Sequence, residues 1–136
     1  PNSCVIIGQC RFDYSKYDFE TQKFVQLGDY QEELKAITET YNKVYYTKHP
    51  HEKGFYDRDL LDSLGVDIVE GVDTYSLMLS KNITGVCALS SSMLTESRFF
   101  GKHEHRLFTN FVDIEKFTSV TRHNIRSVSF WKHILG

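Results

Sequence analysis

A chain of 136 residues, 40% hydrophobic and 25% charged, suits one compact domain able to bury roughly two-thirds of its unfolded surface. Sixteen Lys and Arg against eighteen Asp and Glu leave a formal charge of −2, so no basic excess draws in nucleic acid and no charge block marks a tail. Apolar runs such as Cys4-Val5-Ile6-Ile7 are too short to span a bilayer, and no signal peptide is visible.

In chain order, residues 2–8 read as a buried strand, with the apolar run 4–7 ended by Gly8. Residues 9–28 lack periodicity and carry many aromatics and charges, the pattern of a long functional loop. Asp29, with Glu32 three residues on, fits the N-cap of a helix whose buried stripe is Leu34, Ile37 and Tyr41. Residues 43–47 form a second strand stopped by Pro50, and 57–64 a short helix closed by Gly65. Residues 66–69 make a third strand, and a helix over 74–81 follows the cap Asp73. Residues 84–89 are a fourth strand, and Ser90-Ser91-Ser92 opens a helix running to about residue 100. Residues 106–108 read as a weak fifth strand and 121–135 as a terminal helix.

Strand–helix alternation of this kind predicts a single α/β domain over 1–136: a Rossmann-like parallel sheet with helices on both faces. The three cysteines, Cys4, Cys10 and Cys87, are odd in number and lack C-x-x-C spacing. A reduced, cytoplasmic setting is the simplest reading. The opening Pro1-Asn2-Ser3, without Met, leads us to expect either a processed product or a piece of a longer polypeptide.

Ligands of parallel α/β sheets bind beyond the carboxyl ends of the strands. Four segments should therefore converge on that edge. Lys48-His49-Pro50 offers two donors to a phosphate on a proline-stiffened elbow; an ordinary surface loop has the same composition. Glu70, after the third strand, suits the two hydroxyls of a ribose, or is a solvated strand end. Ser90, Ser91 and Ser92 offer hydroxyls and helix-terminal amides to an anion, or one of them is simply a cap. Asp13 follows the first strand, where a carboxylate can serve as nucleophile or base with Gln9 and Ser15 as partners. Asp18 and Glu20 are rival carboxylates, and a polar turn is the plain alternative.

His49, His51, His103 and His105 show i, i+2 spacing but have no H-E-x-x-H motif and no nearby Cys, so no metal is expected. Walker A, G-x-G-x-x-G and G-x-S-x-G sequences are missing, which leaves P-loop hydrolysis, dinucleotide redox chemistry and α/β-hydrolase chemistry without support.

The order Lys-His-Pro, strand-end Glu, then Ser-Ser at a helix start resembles the nucleotide half of GT-B glycosyltransferases that use CMP-sugars. These include bacterial sialyltransferases and Kdo transferases of capsule and lipopolysaccharide. The resemblance implies that His49 with Lys48, and Ser90 or Ser91, meet the CMP phosphate, with Glu70 on the ribose. Gly8-Gln9-x-x-x-Asp13-x-Ser15 is similar to the G-Q-x-x-x-D-x-S pattern of retaining β-Kdo transferases of lipopolysaccharide O-antigen and capsule. On that likeness Asp13 is the nucleophile that forms a covalent sugar adduct, and Gln9 and Ser15 orient it or the Kdo carboxylate.

The likeness spans about residues 5–100. His51 stands where many relatives have Arg, so a second basic contact is not carried over. It further implies a CMP-Kdo donor with no cofactor, a glycan or glycolipid acceptor, and an acceptor-binding domain N-terminal to this one in the same polypeptide. The setting would be cytoplasmic, with the inner membrane face as a peripheral site. The alternatives are an inverting sialyltransferase-type domain and a non-catalytic flavodoxin-like binding module.

Overall fold

The computed structural model of the protein describes residues 2–52 and 57–108. Its elements run β1 (Ser3–Ile7), a small ribbon of β2 (Tyr17–Asp18) and β3 (Lys23–Phe24), α1 (Gln31–Thr40), β4 (Lys43–Thr47), α2 (Arg58–Ser63) and β5 (Asp67–Val69). There follow α3 (Thr74–Leu79), β6 (Ile83–Ala88), α4 (Met93–Ser97) and β7 (His103–Arg106). The main sheet has the order β5-β4-β1-β6-β7, and every pairing in it is parallel. This is a Rossmann-like α/β fold.

The central strand β1 is buried along its whole length, and its side chains alternate between two cores. Cys4 and Ile6 join Val44, Tyr46, Leu34, Ile37 and Leu61 on the face covered by α1 and α2. Val5 and Ile7 join Val86, Ala88, Met78 and Leu94 beneath α3 and α4. The chain first builds outward through β4 to β5, then returns across the sheet to build β6 and β7 on the other side of β1. That reversal explains why the later helices cover the opposite face, and it leaves a crevice above β1 and β6.

Several elements differ from expectation for local reasons. Asp29 caps a turn, but not the start of α1: its carboxylate accepts from the Gln26 amide at 2.8 Å, at the head of the 3₁₀ turn Leu27–Tyr30. Residues 9–28 are far from irregular, holding the start of that turn, the β2–β3 ribbon and a 3₁₀ turn at Tyr14–Lys16. Lys16 anchors this segment from inside: it is 2% exposed, and its ammonium donates to the Cys10 carbonyl at 3.0 Å and to Gln26 Oε1 at 2.9 Å. The fifth strand lies at His103–Arg106, earlier than expected, and the expected helix over 121–135 lies outside the described residues. Among the described residues no helix is long and apolar enough to cross a membrane.

Candidate functional site

The crevice above β1 and β6 is a cleft of about 440 Å³ at the carboxyl edge of the sheet. Three segments singled out in the sequence line it together: Gln9, Asp13 and Ser15 after β1; Lys48, His49 and Pro50 after β4; Ser90, Ser91 and Ser92 after β6. Gly8 sets the floor. Its amide donates to the Thr47 carbonyl at 2.7 Å, and a Cβ there would meet the same oxygen at 2.6 Å and collide with the Tyr46 hydroxyl. The two strand ends can lie this close only because residue 8 has no side chain.

The polar groups over β1 and β6 form one connected network. Asp13 Oδ1 accepts from the Ser15 amide at 2.9 Å and from the Ser15 hydroxyl at 2.8 Å. Ser15 Oγ lies 2.9 Å from Ser90 Oγ. Gln9 Nε2 donates to both hydroxyls, at 3.3 Å to Ser15 and 3.2 Å to Ser90, while its Oε1 accepts the Ser90 amide at 2.8 Å. That last bond fixes the orientation of the Gln9 amide, because an N–H needs an oxygen opposite it.

On the β4 side, His49 Nδ1 accepts the His51 amide at 3.1 Å, and Cys10 Sγ lies 3.4 Å from the same nitrogen. A neutral ring with Nδ1 so occupied carries its proton on Nε2, the nitrogen left to donate to a ligand. The loops after β1 and β4 are tied together further out, where Glu52 accepts the Arg11 amide at 2.8 Å. Cys4 and Cys87 are fully buried, and burial pushes the Cys4 thiol up to about 12; Cys10, by contrast, is only partly buried.

Glu70 is the sequence-derived site residue that the cleft leaves out. It is exposed and does not line the cleft. β5, which it follows, lies at the sheet edge with β4 between it and β1. The chain crossing back from β5 instead brings Asp73, Thr74 and Tyr75 to the cleft wall. Asp73 reads in the sequence as a helix cap, and it does accept the Tyr75 amide, at 3.4 Å; only the crossover adds a place in the cleft. The Tyr75 hydroxyl donates to Glu96 at 2.8 Å and ties α3 to α4.

The rival carboxylates sit elsewhere. Asp18 accepts the Glu20 amide within the ribbon turn at 2.9 Å, and neither residue lines the cleft. Among the described residues, no group of three or more His, Cys, Asp or Glu is placed to hold a metal ion.

No protein-family model matches the chain, and no curated protein matches it either. Among solved structures, the chain is similar to a 3-ketoreductase from Actinomadura kijaniata in complex with NADP and TDP-benzene, at 15% identity and a TM-score of 0.41. That likeness covers 90% of this chain and 34% of the ketoreductase, so the chain spans about a third of that enzyme's length. At this similarity it carries no argument about ligand or reaction.

Proposed function

We propose that the chain is the donor-nucleotide half of a two-domain GT-B glycosyltransferase. It uses CMP-β-Kdo to add a β-linked Kdo to a bacterial surface glycan, with retention of configuration. The observation that carries this reading is that the three motif segments share one cleft, with Asp13 hydrogen-bonded to Ser15 and Ser15 in contact with Ser90.

In this reading Lys48, His49, Ser91 and Ser92 face the CMP phosphate. Both Ser15 donors bond Asp13 Oδ1, which leaves Oδ2 as the attacking oxygen. It bonds to the anomeric carbon as the bond to the CMP phosphate breaks, and that electron pair departs with CMP. The acceptor hydroxyl then attacks the same carbon and loses its proton to water, while the Asp13–sugar bond breaks and returns its pair to the carboxylate. Two inversions give net retention. The nucleotide ribose has Asp73 as the carboxylate on the cleft wall, in place of Glu70. The acceptor and its binding domain belong to the rest of the polypeptide, working at the cytoplasmic face of the membrane.

The full polypeptide, incubated with CMP-β-Kdo and a surface-glycan acceptor, is expected to release CMP and yield β-configured Kdo. His49→Ala should weaken CMP binding roughly tenfold, about 1.4 kcal/mol, by calorimetry. An inverted product would move the reading to sialyltransferase-type chemistry; no CMP binding at all would end it.

A further inference from the structure

The three serines after β6 look equivalent in sequence, yet the hydrogen-bond inventory around them separates their roles. A carboxylate oxygen can only accept, so the Ser15 hydroxyl proton is committed to Asp13 Oδ1. The contact between the two hydroxyls, at 2.9 Å, must then be donated by Ser90. The Ser90 amide is committed as well, to Gln9 Oε1 at 2.8 Å. Both hydrogens that Ser90 can offer are thus in use inside the network, and its remaining capacity is a lone pair on Oγ.

A phosphate is itself an acceptor, and a lone pair repels it. Ser90 is also 9% exposed, whereas Ser92 is exposed in the same cleft. Ser91 Oγ accepts the Met93 amide at 3.1 Å, which leaves its own O–H to donate outward.

We infer that Ser90 is a positioning residue for Asp13 and not a ligand of the donor phosphate. This inference rests on the transferase reading of the cleft and deepens it. The chain of donors runs from Ser90 to Ser15 to Asp13, with Gln9 bracing both hydroxyls from one amide. Its effect is to hold Oδ1 on the network side, so that Oδ2 is the carboxylate oxygen presented to the sugar. The anion-binding capacity of the serine run then rests with Ser91 and Ser92.

The test compares Ser90→Ala, Ser15→Ala and Ser91→Ala in the full polypeptide, reading CMP affinity and CMP-Kdo transfer separately. Ser90→Ala is expected to keep CMP affinity within about twofold of wild type and to lower kcat roughly a hundredfold, the scale of a misaimed reacting group. Ser15→Ala reads the same split and serves if the buried Ser90 variant does not fold. Ser91→Ala is expected to show the opposite pattern, with CMP binding weakened about fivefold and a smaller change in kcat. CMP binding weakened tenfold in Ser90→Ala with kcat retained, or neither quantity changed, overturns the inference alone. A wild-type protein that binds no CMP overturns the donor-site reading beneath it.

Discussion

Asp13→Asn is expected to lower sugar transfer by roughly 10⁴-fold while leaving CMP affinity within about twofold of wild type. The substitution is nearly isosteric, and the Asn oxygen still accepts the Ser15 amide and hydroxyl that hold Asp13 Oδ1 at 2.9 and 2.8 Å. The network therefore stays intact. What disappears is the second carboxylate oxygen and the negative charge, which are what an attack on the anomeric carbon requires. The check is a transfer assay in the full polypeptide beside a CMP titration, with mass spectrometry for a sugar adduct on the wild-type aspartate. A variant with full activity removes Asp13 as the nucleophile, whatever CMP does.

Lys16→Met carries the largest expected effect on stability, a loss of about 2–4 kcal/mol and a fall in Tm of roughly 7–14 °C. Met fills much of the same volume, but it leaves the Cys10 carbonyl and Gln26 Oε1 without the ammonium they share. It also removes the cation whose attraction opposes the burial that pushes the Asp57 carboxyl up. The sign of the pH dependence follows. A carboxyl raised in the folded state favours folding at low pH, and that contribution is lost as pH climbs through its folded value. Without Lys16, Asp57 is raised further, so the penalty of the substitution is largest at neutral pH. It shrinks below the ordinary carboxylate range, where Asp57 takes up a proton in both proteins. Thermal melts at pH 3 and pH 7 read this directly. Equal penalties at the two values would mean that Asp57 does not feel Lys16.

The strands that the sequence showed most plainly are the ones the fold buries on both faces. β4 spans Lys43–Thr47 as the run of β-formers predicts, and β1 differs from expectation by a residue at each end. β7 was less legible because His103–Arg106 is a partly exposed strand of polar and charged residues, recruited by its pairing with β6. The β2–β3 ribbon has strands of two residues, shorter than any periodic signal can register.

α4 runs Met93–Ser97 with Ser92 as its N-cap, so the serine run opens the helix as expected, while Ser90 is turned away to bond Gln9 and Ser15 across the sheet edge. A local capping pattern could not reveal that tertiary demand. Lys16 was invisible for a similar reason: a lysine in a charged loop reads as solvated until its two acceptors are placed around it. The cleft itself followed from strand order and the carboxyl-edge rule, which brought nine of the ten candidate site residues to its lining. Glu70 lies outside that lining and Asp73 within it, because the rule fixes which edge a loop occupies, not how far along that edge it reaches.

The central claim is that this carboxyl-edge cleft receives a CMP phosphate, and a titration of the isotope-labelled chain with CMP tests it residue by residue. The account predicts saturable amide shifts at Gly8 and Gln9, Lys48 and His49, and Ser91 and Ser92, all in the cleft lining. Asn2, Asn42 and Asn82, whose backbone bonds lie at the opposite end of the strands, should stay still. Shifts confined to that opposite end, or none with CMP on the order of 10 mM, would contradict it.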